Sequence, residues 1–179
     1  MKATKFSIKT GEDIIVRVAE LKDARDLLEM KLEYLKNTNT IPLVENEYPN
    51  SIELEKQLIE RLKDEQNSVL LIAEHKGHLI GNLDLNGNQR SKLFHTGVVG
   101  MGIRQGWRGL GVGSALMNAL LDWTSTNSHI SILWLEVYDS NSAGKMLYEK
   151  SGFKECGRIK NFFQEGDTFI DKITMVRHL

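Results

Sequence analysis

The chain has 179 residues, of which 41% are hydrophobic and 26% charged, and a formal net charge of −1. That length and balance suit one domain that buries its own core, and the absence of a basic surplus argues against nucleic acid, whose phosphates demand one. The single cysteine, Cys156, has no internal disulfide partner, Met1 to Val18 lacks a secretory core, and the longest apolar run, Val69 to Ala73, is far below the roughly 20 residues of a bilayer crossing, so a soluble, cytoplasmic protein without a membrane partner is expected.

In chain order, Ile14 to Val18 is the first strand candidate. Asp23 stands at a capping position ahead of apolar Ala24, Leu27, Leu28, Leu32 and Leu35, which predicts an amphipathic helix. Asn37 to Pro49 holds both prolines and no helical period, hence a loop, and Asn50 with Glu53 resembles a capping box opening a second helix with the stripe Ile52, Leu58, Ile59 and Leu62. Ser68 to Glu74, the turn Lys76-Gly77, and Leu79 to Leu85 predict a hairpin. An extended run, His95 to Ile103, leads through a glycine-rich turn into a helix from Ser114 to about Thr126, then a strand, Ile130 to Tyr138. Asn141 caps a short helix that Gly152 ends, and strands over about 155 to 163 and 168 to 176 flank the hairpin tip Glu165-Gly166-Asp167. With no repeat or linker, this order implies a single α/β domain over residues 1–179, of the α+β kind, with a central mixed, twisted sheet and helices on both faces.

The turn Gln105-Gly106-Trp107-Arg108-Gly109-Leu110-Gly111-Val112-Gly113-Ser114 places several backbone N–H groups at the mouth of a helix, a cradle for phosphate or pyrophosphate to which Arg108 adds a positive charge. Glycines at 109, 111 and 113 match neither the G-x-G-x-x-G of a dinucleotide fold nor the phosphate loop with its lysine, although Glu136 lies about where a ribose-binding acid sits. A turn that merely reverses the chain is the bland alternative to that cradle.

Arg108 to Gly113 resembles the [RQ]-x-x-G-x-[GA] motif of the Gcn5-related N-acetyltransferase (GNAT) superfamily, and Leu133-Trp134-Leu135-Glu136-Val137 followed by Asn141, Ala143, Leu147-Tyr148 and Gly152-Phe153 is similar to its second signature. The resemblance covers about residues 14 to 177 and is sharpest over 99 to 153. It implies a GNAT-type fold and an acetyl-CoA-dependent acyltransferase. Arg108, Gly109, Leu110, Gly111, Val112, Gly113 and Ser114 would hold the cofactor's diphosphate, and backbone groups of Met101, Gly102 and Ile103, on a strand that splays from its neighbour, would hold the pantetheine arm. Asn141 divides between cofactor binding and a plain helix cap.

Acetyl transfer needs a neutral amine, stabilisation of charge on the acetyl oxygen, and a proton for the departing thiolate. By the same resemblance Tyr148 is the general acid, its bland alternative being packing against Phe153. Many GNAT enzymes carry a glutamate on the strand before the glycine turn, but His95 to Ile103 holds no carboxylate, so the base is open among His95, Asp84 and Glu136. Glu45 and Glu47 in the early loop are candidates for attracting a cationic amine, and Cys156 reads as a core or surface thiol. The five histidines show no paired ligand spacing, so no metal is expected. The leading expectation is acetylation of a small primary amine by direct attack. Its alternatives are acetylation of a protein N-terminus or lysine, and a non-catalytic acyl-CoA-binding module. A homodimer is left open.

Overall fold

The structure is a computed structural model, and it describes residues 2–179. Its centre is an eight-stranded sheet in the order β1-β2-β3-β4-β5-β6-β8-β7, formed by β1 (Thr4–Ser7), β2 (Asp13–Val18), β3 (Val69–His75), β4 (His78–Gly87), β5 (Thr96–Ile103), β6 (Ile132–Tyr138), β7 (Lys154–Glu165) and β8 (Thr168–His178). Every neighbouring pair is antiparallel except β5 with β6. The expected mixed sheet is present, and strand β1 is an addition to it. Thr4 to Ser7 offers one apolar side chain, Phe6, and is mostly exposed, so backbone pairing to β2 rather than a hydrophobic pattern holds this edge.

Helices α1 (Ala24–Lys36) and α2 (Ile52–Asp64) cover one face of the sheet, and α3 (Val112–Ser125) covers the other. The α1/α2 face buries Leu27, Met30, Tyr34, Ile59 and Leu62 against Leu70, Ile72 and Leu79. Opposite it, Leu116, Met117 and Leu120 of α3 are fully enclosed against Leu71, Leu83, Leu85, Leu133 and Leu135. Burying each such side chain contributes about 1.5–3 kcal/mol, which sets where the helices lie. The fourth helix, α4 (Ser142–Lys150), follows β6 and packs Tyr148 against the α3-side core.

Local signals held with small displacements. The α2 cap is Ser51, whose hydroxyl accepts from Leu54 N–H, one residue later than Asn50. Helix α3 starts at Val112 rather than Ser114, behind a left-handed Gly111. Asp23 serves a 3-10 turn over Leu21–Asp23 that precedes α1: its carboxylate accepts from Glu20 N–H at 2.7 Å and grips Arg17 through both terminal nitrogens at 2.7 and 2.9 Å.

Asp23 is 5% exposed. Burial alone would raise its carboxyl, but the Arg17 hydrogen bonds and the Glu20 amide outweigh that and hold its pKa below the usual value. Breaking such a pair leaves an uncompensated buried charge, so Asp23→Ala should cost about 3 kcal/mol at pH 7 in urea unfolding. Because the folded pKa is depressed, the contribution is complete above the unfolded value of about 3.9 and disappears as pH falls through the folded one. The gap between wild type and variant should therefore narrow below about pH 4.

Lys31 occupies the buried stripe of α1, with Leu32 only half-buried beside it. The lysine enters the interior because Glu55 of α2 meets it at 2.9 Å, and the same Nζ donates to Tyr48 Oη at 2.8 Å. Tyr48 in turn hydrogen-bonds Glu55, so the loop between α1 and α2 is tied down onto both helices.

Candidate active site

The parallel ladder between β5 and β6 is short, with pairs Thr96–Ile132, Gly97–Leu133 and Val98–Trp134. Beyond it β5 stays with β4 as far as the pair Gly81–Ile103, and β6 stays with β8 as far as Tyr138–Lys172. A fork therefore opens in the middle of the sheet. Arg104 N–H donates to Ile80 O and Asn88 N–H to Thr96 O, so the even-numbered residues of β5 turn their backbone groups toward β4. Alternation then puts the N–H groups of Met101 and Ile103 on the fork edge, while that of Gly102 faces β4.

The glycine turn follows immediately. Gly109 and Gly111 have φ of +74° and +103°, a left-handed backbone that favours glycine, and a Cβ on either would meet nothing within 4 Å. Gly113 is bare for a different reason: a Cβ there would lie 2.8 Å from Leu147 of α4 and 3.3 Å from both Ile103 and Met101, so its absence lets α4, α3 and β5 converge. No side chain caps α3. Among the described residues, the N–H groups of Gly109, Leu110, Gly111, Val112, Gly113 and Ser114 donate to no backbone or side-chain acceptor. Residues 105 to 114 contain no carboxylate, so a row of free donors meets no competing negative charge. A diphosphate suits that donor set.

Arg108 turns its guanidinium back on the chain, donating from Nε to Ile103 O at 3.0 Å and from a terminal nitrogen to Asn37 O at 2.9 Å, which braces the turn against the end of α1. Among the described residues the other terminal nitrogen donates to no acceptor. Lys9 N–H donates to Leu110 O and braces the turn from the side of β1. Asn141 caps α4, its Oδ1 accepting from Gly144 N–H at 2.9 Å. Asn141→Asp, which keeps that acceptor, should stay within about 0.5 kcal/mol of wild type, whereas Asn141→Ala should lose about 1 kcal/mol, both read from thermal unfolding.

Tyr148 on α4 packs its ring near Phe153, with centroids 6.0 Å apart, and its hydroxyl takes no hydrogen bond among the described residues. Burial, and secondarily the charge of Asp84, pushes its phenol up to about 12, so it stays protonated throughout the neutral range.

The three candidate bases separate. His95 is exposed at the start of β5, where its carbonyl accepts from Ser131 and Ile132, at the opposite end of the strand from Met101 to Ile103 and on the order of 20 Å away at about 3.3 Å per residue. Glu136, two residues past the last β5–β6 pair, is already matched with Lys172 at 2.7 Å. Asp84 pairs across the strands with Gly100, just inside the fork, and lies on the α1/α2 face. Glu45 and Glu47 form an exposed 3-10 turn, where Glu47 accepts from Val44 N–H. Cys156 is exposed on β7.

Sequence reasoning missed three polar residues on the α1/α2 face: Tyr34, Tyr48 and Asn82. Tyr34 lies over Gly102, where a Cβ would come 2.3 Å from Cζ of its ring. The signal was weak because the tyrosine sits at a plain heptad-like position of α1 and its neighbour is 68 residues away.

A family model described as the "Acetyltransferase (GNAT) family" matches residues 32–153. The chain is 25% identical over 165 residues, covering 92% of it and 98% of the relative, to L-amino acid N-acetyltransferase AaaT of Escherichia coli (strain K12). It is 28% identical over 167 residues, covering 89% of it and 91% of the relative, to an N-alpha-acetyltransferase of Sulfurisphaera tokodaii. Among solved structures, the acetyltransferase yncA from Salmonella typhimurium with its cofactor acetyl-CoA superposes with a TM-score of 0.82 at 15% identity, over 93% of this chain and 94% of that one.

Proposed function

The chain belongs to the GNAT acetyltransferase family, and from that premise we propose that it transfers the acetyl group of acetyl-CoA to the primary α-amine of a small molecule such as an amino acid, by direct attack with both substrates bound. The observation that carries this reading is the fork between β5 and β6 lying next to the row of free amides from Gly109 to Ser114. The names of the two relatives, one an L-amino acid N-acetyltransferase and the other an N-alpha-acetyltransferase, support an α-amine rather than a side-chain amine. The second name also supports a second reading, acetylation of a protein's N-terminal amine.

Acetyl-CoA, when bound, supplies an acetyl group activated as a thioester. In this reading the amides of Gly109 to Ser114 and the positive end of α3 hold an anionic diphosphate, with Arg108 bracing the turn. The N–H groups of Met101 and Ile103 supply donors along the fork edge, both to an extended amide chain and to negative charge growing on a carbonyl oxygen. Tyr148 holds a proton at Oη, kept there by its raised pKa, for a departing sulfur. Asn141 acts mainly by fixing the start of the helix that carries Tyr148.

A thiol-release assay with acetyl-CoA and a panel of free L-amino acids, polyamines, lysine side-chain analogues and peptides with free N-termini tests the proposal. Release with free amino acids is the expected result. Turnover confined to peptides would favour the second reading, and turnover confined to polyamines or lysine analogues would remove the α-amine from it.

A further inference from the structure

We propose that Asp84 of β4 reaches across its strand pair into the space above Gly100 and takes the proton from the incoming ammonium, so that the carboxylate absent from β5 is supplied by the neighbouring strand. This rests on the acetyl-transfer reading above. The register pairs Asp84 with Gly100, and a Cβ built on Gly100 would stand 2.9 Å from Oδ1 and 3.0 Å from Oδ2 of Asp84. The carboxylate thus occupies the volume that a β5 side chain at this point would fill. Gly100 lies two residues beyond the last β5–β6 pair, and Met101, whose N–H faces the fork, is the next residue along.

The carboxylate is oriented. Arg61 of α2 has only donors, and its terminal nitrogen donates to Asn86 Oδ1 at 2.9 Å. That contact fixes which end of the Asn86 amide faces Asp84: Nδ2 donates to Asp84 Oδ2 at 2.6 Å. Oδ1 of Asp84 receives no side-chain donor among the described residues, and the residue's own N–H also bonds the carboxylate. Asn86 and Arg61 are positioning residues in this arrangement.

A second observation lies on the same strand face. Asn82, two residues before Asp84, is 2% exposed, and its Oδ1 has no hydrogen-bond partner among the described residues. A buried acceptor left unpaired costs about 1–3 kcal/mol, which a bound donor group would offset. Asp84 and Asn82, whose Cα atoms lie about 6.6 Å apart along the strand, present their side chains on one face and together suit a cation with N–H donors, and Tyr34 of α1 stands over Gly102, the cross-strand partner of Asn82.

The charged and titratable groups around Asp84 are Lys31 of α1, itself paired with Glu55 of α2, Tyr34 of α1, Tyr48 of the following loop, Arg61 of α2 and Tyr148 of α4. Burial raises the Asp84 carboxyl against the opposing pull of Lys31, Arg61 and Asn86, a direction that suits a proton acceptor working near neutrality. Asp84 remains half-buried, so protons exchange with solvent.

The proton balance closes. Asp84 Oδ1 takes one proton from the ammonium, leaving a free amine; the nitrogen lone pair forms the C–N bond as the C–S bond breaks. Sulfur leaves with the proton of Tyr148, the second proton shed by nitrogen restores Tyr148, and the proton on Asp84 goes to solvent. The net products are an amide, a thiol and one proton.

The test compares wild type with three variants by thiol release across pH 5.5–9.5, with CoA binding measured by calorimetry. Asp84→Asn should lose at least about 100-fold in kcat while keeping CoA affinity within about threefold. Moving the carboxylate, Asp84→Gly with Gly100→Asp, should recover at least about tenfold over Asp84→Asn, which a merely structural role would not produce. Asn86→Ala removes a hydrogen bond that lowers the Asp84 pKa, so the acid limb of its kcat profile should move to higher pH. Asp84→Asn within threefold of wild type, or an unmoved limb in Asn86→Ala, overturns the assignment. A wild type that binds CoA yet releases no thiol with any amine overturns the parent reading instead.

Discussion

Tyr148→Phe is expected to lower kcat by about 100-fold or more while leaving affinity for CoA and thermal stability nearly unchanged. The ring makes the packing contacts, with Phe153 and the α3-side core, and a phenylalanine keeps them. Only the hydroxyl is lost, and it takes no hydrogen bond among the described residues, so nothing in the folded protein depends on it. Because the phenol titrates at about 12, the wild-type profile should show no descending limb from Tyr148 below about pH 10. Rate profiles of both proteins check this, and a kcat within threefold of wild type would remove Tyr148 from proton transfer.

Gly111→Val should weaken binding of CoA by about 100-fold, with a stability loss of about 1–3 kcal/mol. The φ of +103° excludes a β-branched residue, so the turn must rearrange and displace the free amides from Gly109 to Ser114. Since a Cβ at this position meets nothing within 4 Å, the damage is confined to the backbone of the turn and does not spread by overpacking. Gly113→Ala makes the contrasting case: its Cβ meets Leu147, and stability should fall alongside affinity. Calorimetry with CoA beside thermal unfolding separates the two.

How legible each part was in the sequence follows from the range of the interaction that creates it. The cap of α4 by Asn141, the left-handed Gly152 after it, and the hairpin tip at Gly166 are local, decided within a few residues, and each appears where its motif stands. The apolar periods of α1, α2 and α3 likewise depend on near neighbours, which is why element order and the mixed sheet could be read ahead of the structure. Displacements of one or two residues, as at Ser51 and Val112, arise where adjacent residues compete for the same capping role. The edge strand β1 was invisible because pairing, and not burial, sustains it.

What the sequence by itself determined is therefore the family, through two motifs in order, and a glycine-rich turn that opens a helix, since spacing of glycines and a following helix are properties of one short segment. Only the tertiary structure decided which polar groups meet at the fork. Asp84 and Gly100 are 16 positions apart, and Tyr34 and Gly102 are 68 apart; strand register and helix docking bring each pair together. The physical reason is that a carboxylate's chemistry is set by the space, charge and donors around it, and those come from α1, α2, β5 and α4 at once. No local pattern in the chain records that convergence.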